Sequence, residues 1–326
     1  MKLLLVIDAH LYRSPDGSIW SKSIYDYNFF TRYLMVFEAV TIVSRMGEIC
    51  NSPSNYLRVD GDNLAFVAVP IMRNTWQYLG NIPTLVKLAT RLSREYDCAI
   101  FRVPSVLGYF FEHYFEKCKS PFALEVVVDP GLAYPTNLLA QLLFVARLRT
   151  IVKRANGVSY VTEHYLQNKY PSRAHSLEQS CEYFTSYYSS ISLPDSYYAE
   201  PKIYTHESRA YTIIHTANNF NNNNKGHKEL IQAIKYVVQH GYDVRLKFIG
   251  DGKLRSTLEK MVDELGLHER VIFLGMISSK KKVREILLTG DIFVLPTKVE
   301  GLPRAVIEAM SVGLPCISSP VSVYLS

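Results

Sequence analysis

The residues of this 326-residue sequence whose types and spacing suggest chemistry cluster late, in the run Val299-Glu300-Gly301-Leu302-Pro303-Arg304-Ala305-Val306-Ile307-Glu308-Ala309-Met310. It follows directly on an apolar stretch, Asp291 to Pro296. Pro303 suits the first turn of a helix, where its missing N–H costs nothing, and Gly301 lets backbone approach a ligand closely. Free N–H groups of that turn, with the positive end of the helix dipole, favour an oxyanion. Glu300 stands just before the helix, and the side chain of Glu308 leans back toward its amino end, so both carboxylates reach one mouth. A carboxylate only accepts hydrogen bonds and can take two hydroxyl donors. Beside an anion site, such a pair suits a ligand carrying vicinal hydroxyls and phosphate, as a nucleotide sugar does. Ordinary solvated glutamates on a surface helix are the alternative.

Lys225-Gly226-His227 supplies a cation at a second helix entry, and an ammonium on a flexible stem at that position is a phosphate partner. A solvated lysine beside a polar asparagine loop explains the same letters. Phe248-Ile249-Gly250-Asp251-Gly252 is a strand followed by a glycine turn into a helix. It lacks the third glycine of the dinucleotide fingerprint and reads as a tight turn.

The elements that must position these residues are legible from Tyr211 onward. Short β-branched runs (211–216, 244–249, 271–274, 292–295, 316–318) alternate with helical periods (228–240, 254–265, 281–288, 304–311), the pattern of βαβ units on a parallel sheet. A looser version precedes it, with strands expected at 3–7, 39–43, 64–69, 99–103, 123–128 and 158–161. Between the two lies a stretch rich in Ser and Tyr without clear period. The reading is α/β: a domain over 1–175, a linker over 176–205 and a second domain over 206–326, with ligands expected in a cleft at the strand carboxyl ends.

Composition fits a folded chain of this size, with 48% hydrophobic and 20% charged residues. Five cysteines, odd in number and scattered, encode neither a disulfide framework nor a zinc knuckle, and a reducing, cytoplasmic setting is expected. The opening Met-Lys-Leu-Leu-Leu-Val-Ile stops at Asp8, too short for a secretory leader, and reads as a buried strand. Of six net positive charges, five fall in residues 201–326, where 17 Lys and Arg face 12 Asp and Glu. That asymmetry suits an anionic partner without choosing among them.

In combination, Lys225-Gly226, Gly250-Asp251-Gly252, Phe273-Leu274-Gly275, Asp291 to Pro296, Glu300 with Glu308, and Ala309-Met310-Ser-Val-Gly313-Leu-Pro315 resemble the donor-binding half of the GT-B glycosyltransferases of family 4, a retaining group. The resemblance implies two Rossmann-like domains facing across a cleft. It implies that Lys225, with Gly226 and Gly252 shaping its surroundings, holds the donor diphosphate and serves catalysis. Glu300, also catalytic, would hold the transferred sugar with Gly301 and Leu302, Glu308 the ribose hydroxyls, while Gly275 and Met276 flank the base. No metal or other cofactor is implied, since departure of the diphosphate with same-face attack by the acceptor is the usual proposal. Two departures stand out. The family usually carries an arginine a few residues before its lysine, where this chain reads Ala217-Asn-Asn-Phe-Asn-Asn-Asn-Asn224. Its domain also usually continues past the point matching Ser326, so an incomplete second domain is expected.

The first domain would bind a saccharide or lipid-linked acceptor. His10, Arg102 and Asp129, each after or near the end of an expected strand, are candidate acceptor contacts or bases, with cap or turn roles as the alternative. The basic helix 139–154 offers a peripheral seat on an anionic inner membrane face, or is a plain surface helix. Asp60-Gly61-Asp62 has the spacing of a divalent-metal pair, but an Asp-Gly turn explains the same letters with no chemistry and is the preferred reading. No basic stripe with interleaved aromatics speaks for nucleic acid. Two functions follow: transfer of a sugar in surface polysaccharide synthesis, or silent binding of a nucleotide sugar.

Overall fold

The computed structural model describes residues 1–50, 56–72, 75–133, 137–176, 182–189, 191, 193–204, 210–217, 220–277, 279–298, 300 and 302–321. The chain divides into two units, Met1–Tyr188 and Ser189–Ser326.

The first unit runs β1 (Lys2–Arg13), β2 (Ile19–Ser21), α1 (Tyr27–Leu34), β3 (Ala39–Glu48), β4 (Leu57–Arg58), β5 (Leu64–Pro70), α2 (Thr75–Glu95), β6 (Cys98–Val103), α3 (Val106–Cys118), β7 (Phe122–Val126), α4 (Pro130–Ala133), α5 (Leu138–Ile151), β8 (Gly157–Tyr160), α6 (Tyr165–Lys169), α7 (Arg173–Ser176) and β9 (Phe184–Tyr187). Strands β5, β3, β1, β6, β7, β8 and β9 lie side by side and parallel, while β2 and β4 pair antiparallel beside the outer half of β1. The apolar opening is therefore a central strand. Leu3 to Ile7 are wholly buried, as a strand covered on both faces requires. β1 does not stop at Ile7 as its composition suggests. A register shift between Val6 and His10 carries it past Asp8, and pairing with β2 sustains it to Arg13.

The second unit alternates β10 (Tyr211–Thr216), α8 (His227–Gln239), β11 (Val244–Ile249), α9 (Arg255–Glu264), β12 (Val271–Phe273), α10 (Lys280–Leu288), β13 (Ile292–Leu295), α11 (Arg304–Ser311) and β14 (Cys316–Ser318). The parallel sheet has the order β12-β11-β10-β13-β14. On one face Leu230, Ile231 and Ile234 of α8 and Leu258 and Val262 of α9 pack on Leu246 and Phe248. On the other, α10 and α11 bury Val283, Leu287, Val306 and Ala309 against Ile214, Phe293 and Leu295. These are the three layers of a Rossmann-like unit.

Within the stretch without period, β9 extends the first sheet, whereas Tyr197 enters the core of the second unit. Ala199 and Lys202 donate backbone N–H groups to Ser311 and Gly313. α11 ends in a left-handed glycine cap: Gly313 (φ +74°) donates to Met310 and Leu314 to Ala309. A Cβ on Gly313 would come 2.4 Å from the carbonyl oxygen of Glu200, so this glycine lets the incoming chain lie on the helix end. Among the described residues no helix is long and apolar enough to cross a membrane.

Candidate functional site

The asparagine tract that separates β10 from α8 is a scaffold. Asn221 Oδ1 accepts from the N–H of Lys253 (3.0 Å), tying the tract to the turn after β11. Asn222 Oδ1 accepts from Asn224 N–H, and Asn223 accepts from Lys228 N–H while donating to Glu229. Each of these short amides satisfies a local group, which is why such residues suit turns. The glycine turn is fitted to the same loop: a Cβ on Gly250 would lie 1.7 Å from the Ala217 carbonyl oxygen, and one on Gly252 2.7 Å from the Phe220 backbone. That turn is thus a close backbone approach as well as a tight turn.

The tract delivers Lys225 to the carboxyl end of β13. Gly226 takes φ +71°, and a Cβ there would sit 2.1 Å from the Pro296 carbonyl oxygen. The Asn224 carbonyl accepts from Lys298 N–H (2.7 Å) and Thr297 Oγ1 (3.2 Å), which clips the β13–α11 loop onto the lysine loop. Lys298 Nζ also pairs with Glu229 at 2.6 Å. The outcome is that Glu300, 75 positions away in sequence, forms an ion pair with Lys225. Glu300 is nearly buried and Lys225 about a third exposed, so the ammonium faces outward over a fixed carboxylate.

Glu300 is followed by the start of α11, with Pro303 at the N-cap position, one place before the helix proper, and no side chain caps it. In its first turn Arg304 N–H donates to the Leu302 carbonyl and Val306 N–H to the Pro303 carbonyl, so what the amino end offers an oxyanion is chiefly the positive end of the helix dipole. In half-buried Glu308 of α11, burial pushes the carboxyl above the ordinary value against the opposing pull of the charges on Arg304 and Lys280. Leu302 is partly buried, Met276 is exposed, and Gly275 turns at φ +74° beside Arg255, itself held by Asp251 and Glu259. Gly301 lies outside the described residues.

Beneath the lysine loop lie two histidines to which the sequence analysis assigned no role. His215 and His227 are wholly buried with ring centroids 4.9 Å apart, and Phe220 and Phe248 pack on them. Burial, then the mutual influence of the two rings, lowers His215 to about 3; burial, then Lys225, lowers His227 to about 4. Both are neutral packing residues that support the loop carrying Lys225.

In the first unit the three acceptor-side candidates fare differently. His10 is exposed on the outer half of β1. Arg102 is buried and pairs with Glu125, its register partner on β7. Asp129 is corrected from a base to a pin: its carboxylate accepts from Gly131 N–H (2.9 Å), Tyr165 Oη (2.8 Å), Tyr170 Oη (2.6 Å) and Lys169 Nζ (2.5 Å). Those donors hold it below the usual carboxylate range and leave no lone pair for a substrate. Asp60 is likewise engaged, by Arg58 and the N–H of Ile19, as a turn residue.

Comparison with known proteins bears on the family and the fold. Residues 204–326 match the family Glycosyl transferases group 1. Protein CapJ of Staphylococcus aureus is 26% identical over 98% of this chain and 78% of its own length. An Escherichia coli UDP-Gal:alpha-D-GlcNAc-diphosphoundecaprenol alpha-1,3-galactosyltransferase is 35% identical over 28% of this chain and 24% of that enzyme. Among solved structures, Anabaena HepE in complex with UDP and glucose superposes with a TM-score of 0.63 at 15% identity, covering all of this chain and 82% of that one. Residues 204–326 therefore form a glycosyl transferases group 1 domain, and the fold of the chain is GT-B.

Proposed function

We propose that this chain is a retaining transferase of glycosyltransferase family 4 that moves a sugar from a nucleoside diphosphate sugar to a saccharide or lipid-linked acceptor in surface polysaccharide synthesis. The observation that carries the reading is the Lys225–Glu300 pair beside the uncapped amino end of α11. An ammonium and a helix dipole are what a departing diphosphate needs, and a carboxylate fixed next to them accepts the hydroxyls of the sugar being transferred. In the free protein Glu300 neutralises Lys225. When the diphosphate arrives it replaces that carboxylate as the partner of the ammonium, and Glu300 turns to the sugar. Glu308, one helix face further in, takes the ribose hydroxyls, and Gly275 and Met276 flank the base.

Catalysis on this reading is positioning and charge stabilisation, with the leaving phosphate oxygen close to the attacking hydroxyl on the same sugar face and no metal in the site. HepE was solved with UDP and glucose, and the galactosyltransferase is named for a diphosphoundecaprenol acceptor, which support the donor and acceptor classes. The membrane side of the proposal rests on α5. Leu138, Leu139, Leu142 and Leu143 are all more than half exposed at its amino end, with Arg149 further along, while Arg147 is tied to the buried Glu112.

The test is transfer of radiolabel from a panel of UDP and GDP sugars to saccharide and polyprenyl-diphosphate acceptors by the purified chain. Labelled product is expected. Saturable donor binding without product on any acceptor would favour the silent binding protein that the cation-free asparagine tract suggests.

A further inference from the structure

On the first sheet, Arg102 and Glu125 stand opposite one another one residue before the carboxyl ends of β6 and β7. Carboxyl ends are where open parallel sheets hold ligands. α1 adds to the same spot. Tyr33 Oη donates to Glu125 Oε1 at 2.7 Å, and Arg32 brings a second guanidinium to 4.0 Å from the other oxygen of that carboxylate. Phe29 lies under both arginines, 4.0 Å and 5.2 Å from its ring centroid. Tyr188, at the end of β9, completes the group with its ring 6.0 Å from Arg32.

The charges do not balance: two guanidiniums share one carboxylate. Nor do the hydrogen bonds. Arg32 Nε, Arg102 Nε and Tyr188 Oη are buried and have no partner among the described residues. Unpaired buried donors are costly, and a guanidinium fork matches an oxyanion. Arg102 itself is 6% exposed, whereas Arg32 keeps a third of its side chain in solvent, so the nest opens outward on the α1 side.

We propose that Arg32, Arg102 and Tyr188 form a subsite for an oxyanion, either the carboxylate of an acidic sugar or a phosphate group. The assignment of that anion to the acceptor rests on the transferase reading above. The binding itself does not.

Calorimetric titration of the full chain with D-glucuronate, inorganic phosphate and D-glucose, each with UDP binding measured alongside, tests it. Saturable binding of glucuronate or phosphate, with none of glucose, is expected, and whichever anion binds names the source. Arg32→Ala should weaken that binding about tenfold or more, since charge-assisted hydrogen bonds are lost. Tyr188→Phe, which removes only a hydroxyl, should weaken it severalfold and serves if the arginine variant does not fold. UDP affinity should not change in either variant. Failure of both anions to bind while UDP does, or equal affinity in a folded Arg32→Ala, overturns the subsite. Failure of UDP to bind the unaltered chain would strike the donor reading instead.

Discussion

On the proposed reading Lys225 and Glu300 act on a substrate more than they hold the fold. A partly exposed ion pair contributes about 0–1 kcal/mol, whereas removing a charge from a leaving group in a preorganised site costs roughly 10²–10³ in rate. Lys225→Ala and Glu300→Gln should therefore each lower kcat by about two orders of magnitude and leave Tm within a few degrees, a split that paired kinetic and thermal measurements would reveal. The two histidines behind them should behave in the opposite sense, mattering for stability. Both are depressed below the ordinary histidine value, so between that value and about 4 the unfolded chain binds the extra protons. Stability is then full above pH 6.5 and falls as pH drops toward 4, by roughly 3 kcal/mol from each ring. Melting curves from pH 7.5 to 4 should show this fall, and His227→Phe, which fills the same apolar space without titrating, should reduce it by about half.

At the scale of elements, the second unit was largely legible and the first only in outline, for a physical reason. The strands at 211–216, 244–249, 292–295 and 316–318 match because each is a short apolar run bounded by helical periods, so local pattern and tertiary pairing agree. β2, β4 and β9 are only two to four residues long and exist because a neighbouring strand presents its edge, information that no local period carries. Lys225 and Glu300 were each singled out beside an expected helix start, and the family resemblance, not local spacing, put them in one site. The nest around Glu125 was not, because Arg32 and Tyr33, Arg102, Glu125 and Tyr188 come from four elements. Asp129 misled for the same reason: three of its four donors lie on or beside α6, 36 to 41 positions on. The loops, too, are specified by backbone space. Gly226→Ala would place a methyl against the Pro296 carbonyl in a left-handed conformation, so a loss of at least roughly 2 kcal/mol is expected together with weakened donor binding. On α5, Leu142→Glu with Leu143→Glu should reduce sedimentation with anionic vesicles without lowering Tm, because these side chains are more than half exposed.

For the whole molecule, the proposed labour divides between two α/β units: a carboxy-terminal one whose lysine–glutamate pair suits a nucleotide diphosphate, and an amino-terminal one whose arginine nest suits an acidic acceptor. The central claim is that the diphosphate sits on Lys225 with the ribose on Glu308. The most direct measurement is the dissociation constant of UDP and of GDP for the unaltered chain, Lys225→Ala and Glu308→Ala by calorimetry. The account predicts one nucleotide per chain, with affinity reduced about tenfold or more in each variant. Undiminished affinity in folded Lys225→Ala and Glu308→Ala would contradict it.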